Sequence, residues 1–199
     1  IERKLAAIMF TDIAGYTALM SKDEDKAFAL IQKKRDLLLP LVEKHEGKLI
    51  KEIGDGTLTR YFKADNAIDC ACTFQSQTDT DLNVRAGIHT GEVIVDKEDV
   101  FGDVVNIASR LESIAVPGSV LVSKETIDKL EMSDKVKLVS LGMQSLKGIG
   151  RLIEVYAIKD ENLVVPNPED YTENKIEVHS DDEVPSIAII PFENKGADE

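Results

Sequence analysis

The chain has 199 residues, 43% of them hydrophobic, enough for one well-filled core and a tail, or for one domain and part of another. Its formal net charge is −13 and its pI about 4.7, so its surface repels nucleic-acid phosphates and anionic lipid, and neither is an expected partner. No apolar run approaches the ~20 residues of a membrane span, and the start, Ile1 to Lys4, lacks the apolar core of a signal peptide; a cytoplasmic location is expected.

Residues 4–13 are an apolar run leading into a Gly turn and read as a strand ending near Asp12. Ser21, with Glu24 three positions on, reads as a capping box. It opens an amphipathic helix that runs to about His45 and ends at Gly47. Pro40 inside that stretch argues for a kink or break. Residues 48–53 and 57–62 are short strands around Gly54-Asp55-Gly56, a hairpin turn signal. Residues 64–77 read as helix. Cys70 and Cys72 then point in different directions, so reduced thiols are expected rather than a disulfide, and a pair without further Cys or His partners is a poor zinc site. Residues 84–95 read as a strand, or a strand pair interrupted at Gly91. Residues 102–114 are a helix ended by Pro117-Gly118, 119–122 a strand and 124–130 a short helix. Strands at 135–141 and 152–158 surround Lys147-Gly148-Ile149-Gly150. This order predicts an α+β fold with a mainly antiparallel sheet and helices packed on it.

The composition changes after Ile158. Residues 159–199 hold 12 acidic and 3 basic side chains, net −9 of the −13. With Pro166, Pro168 and Pro185 and little periodicity, residues 159–185 read as a solvated acidic linker. Residues 186–192 are apolar again and read as a lone strand. A strand without a partner makes sense as the start of a further domain, at 186–199, whose remainder lies outside the chain. The first domain is then 1–158.

Three pairs of side chains carry chemistry. Asp12 ends a strand and Asp55 sits in a hairpin tip; on neighbouring strands both carboxylates would meet at one sheet edge. Paired carboxylates there suit hard divalent cations, which keep waters and accept substrate phosphate oxygens as ligands. Turn chemistry alone also explains an Asp between glycines. Asn106 and Arg110, spaced i,i+4 on a helix, share a face and could orient a sugar and hold a charged phosphate; a solvated helix face is the plain alternative. Lys51 and Asp99 offer one donor and one acceptor, the pattern that reads an adenine edge, although each alone is ordinary surface charge.

The combination resembles a known family. Phe10 to Thr17 (FTDIAGYT) is similar to the first metal motif of class III adenylyl and guanylyl cyclases, and Lys51 to Gly56 (KEIGDG) to the second. Arg85 to Gly91 (RAGIHTG) and Asp99 to Glu112 (DVFGDVVNIASRLE) are similar to two later motifs. The resemblance covers about 160 residues and implies the ferredoxin-like class III cyclase fold. It implies that Asp12 and Asp55, with the Ile13 carbonyl, bind two Mg²⁺ or Mn²⁺ ions. It further implies that Lys51 and Asp99 select adenine, that Asn106 positions the ribose and that Arg110 stabilises charge on the α-phosphate. Arg85 and Lys147 would hold the β- and γ-phosphates, Lys147 by location more than by motif. Guanine-specific members usually carry Glu and a small residue such as Cys at the base-reading positions, so Lys51 and Asp99 imply ATP. Tyr16 stands where Phe is commoner. His89 lies inside a motif and reads as structural. The family geometry implies a homodimer, with the metal carboxylates of one chain facing Lys51, Asp99, Asn106 and Arg110 of the other.

The implied activity is conversion of ATP to 3′,5′-cyclic AMP and pyrophosphate. The alternatives are a catalytically silent nucleotide-binding regulatory module, against which the full residue set argues, and a guanylyl cyclase. Residues 185–194 resemble the opening of a TolB-like region, a short match, which would make the missing C-terminal domain a partner within the same full-length chain.

Overall fold

The structure, a computed structural model, describes residues 2–96, 99–131 and 136–171. The strand expected at 186–192, the TolB-like segment and Lys135 lie outside the described residues.

The centre of the fold is β1 (Glu2–Ile13), in which Ala6, Ala7, Ile8 and Met9 are all buried. A strand buried on consecutive residues must be covered on both faces. Ala7, Met9 and Ile13 face one side, packed with Leu30, Leu38 and Leu41 of α2 (Glu24–Lys44) and Phe74 of α3 (Ala64–Gln77). Ala6 and Ile8 face the other, packed with Val104 and Ala108 of α4 (Asp103–Ile114). The remaining strands are β2 (Lys48–Ile53), β3 (Gly56–Tyr61), β4 (Val84–Asp96), β5 (Asp99–Phe101), β6 (Val120–Ser123), β7 (Leu138–Ser145) and β8 (Leu152–Ile158). They form one sheet in the order β2-β3-β1-β4-β6-β8-β7, with β5 on β4. The β4–β6 pair is parallel and every other pair antiparallel. The fold is the expected α+β arrangement with a mainly antiparallel, ferredoxin-like sheet.

Several local expectations are corrected. Asp23, not Ser21, caps α2, accepting from the Lys26 amide at 2.9 Å. The chain first makes a separate short helix, α1 (Tyr16–Met20), and Ser21 closes it, its hydroxyl donating to the Thr17 carbonyl. Pro40 does not break α2, which runs on past it. Pro40 and Asp36 are both exposed, so the carbonyl that loses its amide partner faces water. Gly91 does not split β4, which is one strand. A Cβ there would lie 2.8 Å from Val104 Cγ2, so this glycine makes room for α4. The helix expected at 124–130 is shorter, α5 (Lys124–Ile127). The β4–β5 hairpin was not foreseen; its Val100 joins Ile50, Leu58 and Val93 in a small core on the α4 face. Inside the stretch expected as a linker, Leu163 and Tyr171 are buried, and the Tyr171 hydroxyl donates to the Ile114 carbonyl at 2.7 Å. Cys70 and Cys72 are free thiols. Among the described residues no helix is long and apolar enough to cross a membrane.

Candidate active site

The end of β1 and the β2–β3 turn meet at one edge of the sheet. Gly54, at φ 62°, gives the turn its left-handed residue. Asp55 beside it reaches across, and its Oδ2 accepts from the Ile13 amide at 2.8 Å. Both expected metal carboxylates, Asp12 and Asp55, and the Ile13 backbone therefore lie together. Antiparallel register puts Arg85 of β4 directly opposite Asp12. The guanidinium grips that carboxylate in a two-pronged pair, Nε to Oδ1 at 2.9 Å and Nη2 to Oδ2. The hydrogen bonds to Asp12 hold the Arg85 pKa above its ordinary value.

Two charged residues that the sequence reading did not single out complete this end. Glu112 of α4 is 6% exposed, and its Oε1 lies 3.1 Å from Arg85 Nη2. Its position depends on Gly87, where a Cβ would stand 2.2 Å from the Glu112 amide nitrogen, so α4 rests directly on β4. Burial, a hydrogen bond with Asp12 and the charges of Asp12 and Asp55 push the Glu112 carboxyl up to about 8, against the pull of Arg85. From the opposite face of the sheet comes Lys34 of α2, 2% exposed. Its Nζ donates to the Thr11 carbonyl at 2.9 Å and to the Asp55 carbonyl at 2.5 Å. Burial lowers its ammonium to about 8, opposed by Asp55 and Asp12. Both residues had a sequence signal. Lys34 falls on the buried stripe Ala27, Leu30, Leu38, Leu41 of α2, and Glu112 extends the stripe Val104, Ile107, Ala108, Leu111 of α4. A charge on the apolar face of a helix is costly unless it has a partner.

The base-reading candidates are also together. Lys51 Nζ lies 3.1 Å from both carboxylate oxygens of Asp99. The curled β4–β5 hairpin brings Asp99 over β2. The Val100 amide and then Lys51 lower the Asp99 carboxyl below its ordinary range. Both side chains are about two-fifths exposed. Asn106 and Arg110 share the exposed side of α4, opposite the stripe that packs on the sheet. Arg110 Nε donates to the Lys147 carbonyl at 3.0 Å, so the exposed Lys147 turn abuts this helix. Among the described residues, no hydrogen bond or ion pair joins Lys51, Asp99, Asn106 or Arg110 to Asp12, Asp55 or Arg85. The expected residues thus form an acidic end and, apart from it, two exposed pairs, Lys51 with Asp99 and Asn106 with Arg110. His89 is buried, its Nδ1 is 2.7 Å from Ser123 Oγ, and burial lowers it to about 4, so it is a neutral ring inside the core at physiological pH.

The acidic end fits divalent cations. Its donors are hard oxygens, two carboxylates and a neighbouring backbone carbonyl, the kind Mg²⁺ and Mn²⁺ prefer. The negative field there is felt by Glu112, whose carboxyl both aspartates push up. Among the described residues no three His, Cys, Asp or Glu side chains are grouped for a metal; a two-carboxylate site leaves positions for water and phosphate oxygens.

A family profile described as "Adenylate and Guanylate cyclase catalytic domain" matches residues 2–160. A protein of Rhizobium meliloti named putative adenylate cyclase 3 is 31% identical over 100% of this chain, which spans 35% of that relative. Guanylate cyclase 2G of Rattus norvegicus is 27% identical over 86% of this chain, which spans 18% of it. A crystal structure of an adenylate/guanylate cyclase/hydrolase from Silicibacter pomeroyi superimposes with a TM-score of 0.72 at 33% identity, covering 80% of this chain and 99% of that one. The chain thus spans about a third or less of both curated relatives.

Proposed function

The chain belongs to the adenylate and guanylate cyclase catalytic domain family, and from that premise we propose that it converts ATP to 3′,5′-cyclic AMP and pyrophosphate at sites shared between two copies of the chain. The observation that carries the ATP assignment is the Lys51–Asp99 pair, a donor and an acceptor held 3.1 Å apart on one surface. The two groups satisfy each other in the free protein, and a base entering between them would be read by the carboxylate accepting from the adenine amino group and the ammonium donating to the ring nitrogen beside it. Guanine offers a carbonyl where adenine offers the amino group, and Asp99 would repel it.

Asp12, Asp55 and the Ile13 carbonyl would hold two Mg²⁺ or Mn²⁺ ions, which when bound supply a lowered pKa at the ribose 3′-hydroxyl and neutralise charge on the triphosphate. Asn106 orients the ribose so that this hydroxyl faces the α-phosphorus. Arg110 donates to the α-phosphate oxygens as charge builds on them. Arg85 and Lys147 hold the β- and γ-phosphates; in this reading the Arg85 guanidinium moves from Asp12 to phosphate as the carboxylate takes up cations. No side chain forms a covalent bond with substrate, and positioning with charge stabilisation does the catalysis.

Two copies are needed because Asn106 and Arg110 project from the side of α4 that faces away from the sheet. Asp12 lies beneath its packed side. A second copy related by a two-fold axis would bring its exposed helix over the acidic end of the first, and the reverse. Residues 186–199 begin, in this reading, a further domain of a longer protein, which the greater length of the relatives supports. The direct test is incubation with Mn²⁺ and either ATP or GTP. Cyclic AMP from ATP is expected; cyclic GMP alone would overturn the base assignment, and no product from either would favour a silent nucleotide-binding module.

A further inference from the structure

Lys34 is the most deeply buried cation among the described residues, and the roles above make no use of it. It occupies a place on α2 that an apolar side chain could fill. The neighbouring stripe positions Leu30 and Leu38 are apolar, and an ammonium is costly to bury without compensation. What an apolar side chain lacks is the ability to donate. Lys34 donates to two carbonyls on segments 44 residues apart in sequence, those of Thr11 and Asp55. The Thr11 carbonyl belongs to the peptide that leads into Asp12. The Asp55 carbonyl belongs to the peptide that leaves Asp55. One ammonium therefore ties together the backbone on which both acidic side chains are mounted, from the face of the sheet opposite Glu112.

We propose that Lys34 is a positioning residue for the divalent-cation site, fixing the spacing of Asp12 and Asp55 through their flanking carbonyls. This rests on the reading of those two carboxylates as metal ligands. Positioning and simple electrostatics shift cation affinity in opposite directions when the Lys34 charge is removed. A positive charge beside a cation site repels the cation, so on charge alone its removal tightens binding. Loss of positioning loosens it, and partners one step outside the ligands typically cost 10–100-fold in metal affinity.

The test is Mn²⁺ titration of the full chain, without nucleotide, followed by electron paramagnetic resonance of the free ion. Four proteins are compared: wild type, Asp55→Asn, Lys34→Met and Lys34→Gln. Both Lys34 variants remove the charge, but Gln keeps a donor. The expected order is wild type tightest, K34Q weaker, and K34M weaker still by about 10–100-fold relative to wild type, with far-ultraviolet circular dichroism unchanged. If K34M does not fold, K34Q alone still decides by the sign of its shift. Affinity that is unchanged or tighter in the Lys34 variants, while Asp55→Asn abolishes binding, overturns the positioning role and leaves the metal reading intact. Affinity that survives Asp55→Asn overturns the metal reading, and the inference with it.

Discussion

At the acidic end every charged side chain is held by another element of the same chain: Asp55 by the Ile13 amide, Asp12 by Arg85, Glu112 beside Arg85, and Lys34 across two carbonyls. Around Lys51, Asp99, Asn106 and Arg110 the side chains stand at the surface, and α4 offers Asn106 and Arg110 to solvent. The difference is one of preorganisation. On the proposed function, Asp12 and Asp55 would hold cations from a backbone that Lys34 ties together and the Ile13 amide steadies, while Arg85 is the one partner there that changes its contact. On the same reading, Lys51, Asp99, Asn106 and Arg110, which would close on a substrate from outside, are left exposed on rigid elements for a second copy to cover.

This contrast can be broken most severely at the acidic end. Asp55→Asn keeps an acceptor for the Ile13 amide but removes the charge. It is expected to preserve the fold while lowering turnover by more than about 100-fold, beyond what an outer partner costs; product formation and thermal melting on the same preparation check both halves. At the exposed end, Arg110→Ala is expected to lower kcat by about 10²–10³-fold with little change in KM, because the charge it meets develops after binding. Its folding free energy should change by less than about 0.5 kcal/mol, as for other exposed positions. A large stability loss in this variant would mean that the exposed group is held as tightly as the acidic one. The smallest effect is expected at the base-reading pair. Lys51→Glu with Asp99→Cys should lower the ratio of ATP to GTP turnover by about 30-fold, since two hydrogen bonds at the base edge are lost and each contributes about 1 kcal/mol. A ratio that does not move would detach the pair from base selection.

The sequence was most legible where local chemistry decides the outcome. The α3 boundaries and the β2–β3 hairpin follow from periodicity and the Gly54-Asp55-Gly56 turn, and the structure places them as expected. The capping reading failed because two cap-forming residues, Ser21 and Asp23, lie two apart, and the short α1 before them takes the first. Pro40 reads as a kink or break, and one of two readings splits β4 at Gly91, because local rules do not see that an exposed face forgives a missing amide or that a neighbouring helix needs space. The motifs single out the candidate site residues, Lys147 excepted, but not the charged neighbours Glu112 and Lys34. Glu112 and Lys34 acquire meaning only when α4 and α2 close on the sheet from opposite faces, a tertiary fact with only a faint trace in the sequence: a charge on an apolar stripe.

The claim that depends on both regions at once is that a complete site takes its acidic end from one copy and its exposed group from another. Asp12→Ala and Arg110→Ala proteins, each inactive alone, are mixed in equal amounts, allowed to exchange partners, and assayed for cyclic AMP. Random pairing makes about half the dimers mixed, each with one site retaining both Asp12 and Arg110, so the mixture should recover about a quarter of the wild-type rate. A mixture as inactive as either parent, at concentrations where mixed dimers are shown to form, would contradict the shared site.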